Sequence, residues 1–329
     1  MKIINKNFLL KNINVIIIFL IFVLVVLCLF TRLEGDFFNF NNFYNFFELS
    51  PILKQIILES RLPRIILALI VGASLSTSGV VFQGILRNPL AESYTLGISG
   101  SVVLFVNLLM IMNQNSKFLF IYTILLGVVF SISIIYSVFI RKKYSISQVL
   151  LIGILINIIS LSIVEFYSKI YMTKSGLIGS LDGNIDILFY FLSFIVIFAI
   201  YFCYKKGDII DILSLGEVHA RFLGINVKLE ESILFLLASF IASVSIAYTG
   251  IIGFVGLVIP YIVRNFTKQK TKFVIFTSAL FGALYLILAD FIAKNLFYPI
   301  EIPVGIITNF IGGIFFIYFI FQNGVYNYE

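Results

Sequence analysis

Charged residues vanish from this chain for long intervals, and those intervals set its elements. No Asp, Glu, Lys or Arg occurs within 12–31, 65–86, 93–116, 118–140, 144–164, 187–204, 232–263, 273–289 or 302–322. Most of these runs match the roughly 20 residues that a helix needs to cross the hydrocarbon layer of a bilayer. The run 232–263 does not: as one helix it would be about 48 Å long at ~1.5 Å per residue, too long for a ~30 Å layer even when tilted. Gly250, Gly253 and Gly256, followed by Pro260, supply breakers within it. The run therefore divides into a full helix over 232–249 and a short one over 251–263. The chain reads as an all-α polytopic membrane protein of about ten transmembrane helices. The short helix crosses poorly alone, and irregular backbone at that depth is stable only where protein or a water-filled cavity surrounds it, so it is assigned to the interior.

Ten segments leave both termini on one side, and the distribution of basic residues selects the cytoplasm. With the N-terminus inside, Lys2, Lys6, Lys11, Arg87, Arg141, Lys142, Lys143, Lys205, Lys206, Arg221, Lys228, Arg264, Lys268, Lys270 and Lys272 lie on the cytoplasmic side, and these are 15 of the 23 basic residues. The first run follows a lysine-bearing start but ends in Phe30-Thr31-Arg32-Leu33-Glu34 without a small-x-small cleavage site, so it reads as a retained helix and not a signal peptide.

Composition closes the other classes. Apolar residues make up 60% and charged residues 12%, with a mean hydropathy of +1.09. That leaves too few charges to coat a water-soluble globule. The net charge of +7 follows from the sidedness just described, so no nucleic-acid partner is implied. Cys28 and Cys203 both sit in apolar runs as small hydrophobes. No repeat or low-complexity linker interrupts the chain, and residues 1–329 read as one transmembrane domain with a short cytoplasmic segment at about 205–231.

Within that frame a few residues stand out. Arg61 and Arg64 are three apart across Pro63 at the outer start of the second helix, a spacing that puts both guanidinium groups on one face. They either dock a partner or snorkel to lipid headgroups. The helix that follows is rich in small residues, including Gly72, Ser76 and Gly79, and Gln83 lies further along it. The third helix opens with Gly97, Ser99 and Gly100. Such residues let backbones approach closely and turn hydroxyls inward, so they line a path or pack helices. On the cytoplasmic side Leu215, Gly216, Leu223 and Gly224 bracket Glu217 to Phe222, which predicts a turn, a short helix and a second turn suited to a cleft in a partner. His219 is one histidine without the set of acid and cysteine partners that a metal or catalytic site needs. Asp290 lies near the outer end of the ninth helix with Lys294 four residues on, a local ion pair by spacing, and Glu165 lies near the outer end of the fifth. Nucleophile elbows, H-E-x-x-H and phosphate-binding loops are absent, so no catalytic, cofactor or metal residue is assigned and the chain is not expected to hydrolyse ATP itself.

Several of these segments, in this order, resemble the FecCD-like permeases of type II ABC importers. The resemblance rests on Arg61-Leu62-Pro63-Arg64, Gly72 to Gly79 leading to Gln83, Arg87-Asn88-Pro89-Leu90-Ala91, Leu96 to Ser99, Leu215-Gly216-Glu217 with Leu223-Gly224, Gly253 to Pro260 with Arg264, Asp290, and Ile302 to Gly305. Ser93, Tyr261 and Ile314 stand where the family commonly has proline, histidine and proline, and Lys294 where it usually has arginine. The resemblance implies ten helices per subunit and a second permease, identical or paralogous, sharing a central path. It implies two ATPase subunits below, which bind ATP and Mg, and a periplasmic or lipoprotein substrate-binding protein above. It assigns Arg61, Arg64 and Lys294 to docking that binding protein, and Leu215, Gly216, Glu217, Arg221, Leu223 and Gly224 to coupling with the ATPase. Gly72, Ser76, Gly79, Gln83, Gly97, Ser99, Gly100, Gly253, Gly256 and Pro260 become path-lining or close-packing residues. The expected cargo is an iron(III)-siderophore complex. The competing reading is a proton-coupled secondary transporter using Asp290 and Glu165.

Overall fold

The computed structural model describes residues 2–31, 50–111, 117–140, 145–171, 178–182 and 185–324. Arg32, Glu34 and the basic cluster Arg141 to Lys143 lie outside them. Among the described residues twelve helices account for nearly all of the structure: α1 (Lys2–Phe30), α2 (Pro51–Leu86), α3 (Ile98–Ile111), α4 (Lys117–Ile140), α5 (Ile146–Tyr171), α6 (Ile187–Lys205), α7 (Gly207–Ser214), α8 (Glu217–Phe222), α9 (Val227–Thr249), α10 (Val255–Thr267), α11 (Thr271–Asn295) and α12 (Val304–Gly324). Six of them, α1, α2, α5, α6, α9 and α11, are long and apolar enough to cross a membrane, and α3, α4, α10 and α12 contain shorter apolar helices. Among the described residues, extended pairing is limited to isolated bridges such as Ile178 with Ile251.

Helix α2 is the hub. Every residue from Ser74 to Leu86 is buried, and it packs on α11, α9 and α10. The sequence explains how a helix can be enclosed on all sides: small residues recur where neighbours cross. A methyl group placed on Gly72 would strike the backbone of Gly282 and Ala283 in α11, and one on Gly79 would strike the backbone of Gly256 in α10. Side chains larger than hydrogen would force these helix pairs apart. Around the hub, α1, α5 and α6 turn Phe19, Phe22, Phe166, Phe194 and Phe198 outward, where an apolar surface is suited to lipid tails.

Two features depart from the charge-free pattern. First, α2 begins at Pro51, capped by the Ser50 hydroxyl, well before the apolar run. Pro63 has no N–H to continue the ladder and its ring crowds the preceding turn, and residues Ile56–Arg61 relax into a wider π-helical turn. Second, residues 205–231 contain a helix, α7, that the sequence pattern did not indicate, ahead of the predicted short helix α8. The division of 232–263 occurs as expected: α9 ends at Thr249, Gly250 takes φ +75°, and α10 begins at Val255 with Val255 to Pro260 all buried.

Candidate functional site

Three places in the bundle gather the residues with chemistry. The first is the end at which α2 starts and α11 finishes. Arg64 is mostly buried, and its guanidinium meets three carboxylates of this chain. Its Nε and Nη2 donate to Asp290 Oδ1 at 3.1 and 2.8 Å, its Nη1 donates to Glu301 at 3.0 Å, and the same nitrogen pairs with Asp182. Asp290 is buried, whereas Asp182 and Glu301 keep 60% and 55% of their side chains exposed. Lys294 Nζ stands 4.0 Å from Asp290, so the pair expected within α11 is secondary to the long-range pair with Arg64. Arg61 points elsewhere: its Nη1 donates to the carbonyl oxygens of Leu29 and Thr31 at 2.8 and 2.6 Å, closing the C-terminal end of α1. The π-helical turn before Pro63 separates the two arginines, one towards α1 and one towards α11, in place of the shared face expected from their spacing. Glu165 is half exposed and 3.8 Å from Lys169 one turn on, while Asp290 is held by Arg64.

The second place is the break between α9 and α10. Residues 178–182 thread into the bundle beside it: Gly179 N–H donates to the Ile251 carbonyl at 2.9 Å, and Ser180 N–H to that of Thr249 at 2.8 Å. Gly305 N–H, in the first turn of α12, donates to the Gly179 carbonyl at 2.8 Å. Unpaired backbone at this depth would be costly, and here three segments satisfy one another. Gln83 solves a related problem. Pro260 cannot donate to the carbonyl of Gly256 four residues earlier, and the Gln83 side-chain amide donates to that oxygen at 3.2 Å and to the Leu257 carbonyl at 3.4 Å. Gly253 lies against Asn309 of α12. The N-terminus of α10 faces Glu92, a buried carboxylate that accepts from the backbone N–H groups of Phe254 and Leu257, the arrangement a helix dipole favours. Nearby, Asn157 of α5 accepts from Gly100 N–H at 2.7 Å and donates to the Tyr94 carbonyl, clamping the loop before α3. Gly97 takes φ +74° against Gly153 in that clamp, Ser76 returns its hydroxyl to the Gly72 carbonyl, and Ser99 lies 3.4 Å from Ser93.

The third place is the opposite end, where α7 and α8 project. Gly216 takes φ +117° and Gly224 φ +79°, backbone states in which a side chain would be strained, so both glycines permit the turns that bracket α8. Glu217 and Arg221 pair across one turn of α8. Leu215, Val218, Phe222 and Leu223 are exposed, with Phe222 at 85%, while Ala220 is buried against the body. A cluster of exposed apolar side chains on a short polar element marks a surface made for a partner. Asp211 of α7 fixes this element to the bundle: its carboxylate accepts from Thr271 N–H at 3.2 Å and from the Thr271 hydroxyl at 2.6 Å, satisfying an otherwise open N–H in the first turn of α11. Lys272 pairs with Asp208 beside it.

Sequence reasoning passed over Glu92, Asn157, Asp182, Asp211, Phe222 and Glu301. The carboxylates around Arg64 have no local pattern, because each finds its partner through the fold. Asn157 stands as one amide in an apolar run, a polar residue inside a spanning helix that could have been singled out.

The chain is similar to known proteins over most of its length. The model of the FecCD transport family matches residues 15–322. The vitamin B12 import system permease protein BtuC of Vibrio cholerae is 32% identical over 282 residues, covering 83% of this chain and 85% of that one. The hemin transport system permease protein HmuU of Yersinia pestis is 30% identical over 279 residues, covering 80% and 83%. Among solved structures, one described as an inward-facing conformation of a putative metal-chelate type ABC transporter aligns with a TM-score of 0.78 at 26% identity, covering 95% of this chain and 99% of that one.

Proposed function

The chain belongs to the FecCD transport family, and we propose that it is the permease subunit of an ATP-driven importer that moves iron(III)-siderophore complexes into the cytoplasm. It is a multi-pass membrane protein and a transport component rather than an enzyme. At the coarser level, it is a permease of an ABC importer for iron chelates, haem or vitamin B12. The siderophore cargo is supported by relatives named for Fe(3+)-citrate and iron(3+)-hydroxamate import.

In this reading the chain crosses the membrane ten times with both termini in the cytoplasm. It pairs with a second permease around a shared path, and two ATPase subunits that bind ATP and Mg sit at the α7–α8 end. A substrate-binding protein docks at the Arg64 end, with Arg61, Arg64 and Lys294 supplying the positive charge. The exposed apolar cluster on α8, flanked by Gly216, Glu217, Arg221 and Gly224, is the single observation that carries the mechanism, because it presents a knob to a cytoplasmic groove. Closure of the ATPases on nucleotide would move that knob, and the helices packed on α2 would exchange an outward-open for an inward-open arrangement. Gly72, Gly79, Gly97, Gly100 and Gly256 sit against neighbouring backbone or side chains, which supports the close-packing role for these small residues.

The test is uptake into proteoliposomes holding this chain with its ATPase and binding protein. Accumulation of radio-iron as a ferric hydroxamate is expected, dependent on ATP and severalfold above that of hemin or cyanocobalamin. Uptake by the chain without any ATPase would overturn the ATP-driven reading, and a preference for hemin or cyanocobalamin would overturn the siderophore cargo.

A further inference from the structure

The Arg64 end holds a second device. Arg64 has more carboxylates than a structural pair requires, and the three are unequal. Asp290 is buried and accepts from two guanidinium nitrogens, and if released it would keep only the longer contact with Lys294 at 4.0 Å. Asp182 and Glu301 are more than half exposed and share the one remaining nitrogen, Nη1. Exposed pairs of this kind are weak and readily exchanged.

The two exchangeable acids also lie beside the backbone that closes the break between α9 and α10. Asp182 stands two residues after Ser180, whose N–H, with that of Gly179, donates to the Thr249 and Ile251 carbonyls. Glu301 lies just before α12, whose Gly305 is hydrogen-bonded to Gly179. One guanidinium therefore fastens, through a single nitrogen, both pieces of backbone that lie over the irregular centre of the bundle.

We propose that Arg64 is the latch of an outer lock, holding Asp182 and Glu301 over the α9–α10 break until an acidic side chain of a docked binding protein takes their place. The lock rests on the importer reading for its partner. An incoming carboxylate would satisfy Nη1 while Asp290 keeps the other two nitrogens, so Arg64 stays anchored throughout. Asp182 and Glu301 return to water, and the 178–182 segment and the start of α12 are released together. The same contact that recognises the partner thereby opens the mouth, and an undocked permease stays shut against leakage.

The test uses the full chain in nanodiscs, with Cys28 and Cys203 replaced by serine and Ser180→Cys as a reporter for a membrane-impermeant maleimide. Neutralising both acids with Asp182→Asn and Glu301→Gln leaves the buried pair intact and is expected to speed labelling of the reporter roughly fivefold, as the loss of two exposed pairs can shift a two-state population. The charge-keeping variant Asp182→Glu with Glu301→Asp should label at the rate of the parent. Polyglutamate at low ionic strength should accelerate labelling of the parent and leave the neutral variant unchanged. An unaltered or slower rate in the neutral variant, or a parent rate indifferent to polyglutamate, overturns the lock. Neither ATPase nor cargo enters this assay, so its failure leaves the importer reading standing, and failure of ATP-driven uptake leaves the lock standing.

Discussion

At the scale of single residues, the interior of this protein is governed by what a proline and a few glycines remove. Pro260 withdraws one donor from α10, and Gln83 reaches across from α2 to replace it at 3.2 Å. Leaving that buried carbonyl without a donor costs about 1–3 kcal/mol, so Gln83→Leu should lower the thermal unfolding midpoint of the purified chain, while Gln83→Met, which keeps the length of the side chain but also loses the donor, should do no better. Unchanged midpoints in both would show that Gln83 is not needed at α10. Gly79 sets a harder limit, because any side chain there enters the backbone of Gly256. Overpacking of this kind typically costs ~1–3 kcal/mol, and Gly79→Leu and Gly72→Leu should both reduce folded yield and uptake. Normal expression and transport in both would return α2 to the lipid-facing class. The glycines were legible in the sequence because small residues at helix crossings follow a known rule. The role of Gln83 was not, since an amide in an apolar run does not say which carbonyl it will meet.

At the scale of elements, the connection between α7, α8 and α11 turns a surface knob into a lever. Asp211 holds the first turn of α11 and Asp208 pairs with Lys272, so displacement of α7 pulls on the N-terminus of the helix whose far end carries Asp290. Asp211→Ala removes the acceptor of the Thr271 N–H and hydroxyl, hydrogen bonds worth about 0.5–1.5 kcal/mol each, and should lower both stability and the coupling of ATP hydrolysis to uptake. Gly216→Pro is incompatible with φ +117° and removes the N–H that donates to Leu213, and Glu217→Lys reverses the charge beside Arg221. Both variants should hydrolyse ATP in reconstituted complexes without delivering cargo, whereas His219→Ala should behave as the parent. Full stimulation and transport by the Gly216 and Glu217 variants would move the coupling contact to another loop. The turns around α8 could be read from Gly216 and Gly224. Helix α7 could not, because Asp208 and Asp211 break the apolar pattern that marks the longer helices, and eight residues give periodicity little room to show.

At the scale of the whole molecule, the charge-free runs located the apolar helices and the break at Gly250 because the bilayer imposes length and composition on anything that crosses it. The long-range fastenings, Arg64 with Asp182 and Glu301 or Asn157 with Gly100, follow from the packing and leave no periodic trace in the chain. Sidedness is the remaining whole-molecule property, and it was argued from basic residues alone. The structure separates the two ends well enough to test it. Phe222 is 85% exposed on α8 at one end, and Tyr298 is 62% exposed between α11 and α12 at the other. In intact cells of a Cys28→Ser, Cys203→Ser background, Tyr298→Cys should react with a membrane-impermeant maleimide and Phe222→Cys should not. After permeabilisation both should react. The opposite pattern in intact cells would invert the orientation, put α8 outside the reach of any cytoplasmic ATPase, and remove the mechanical basis for ATP-driven transport by this chain.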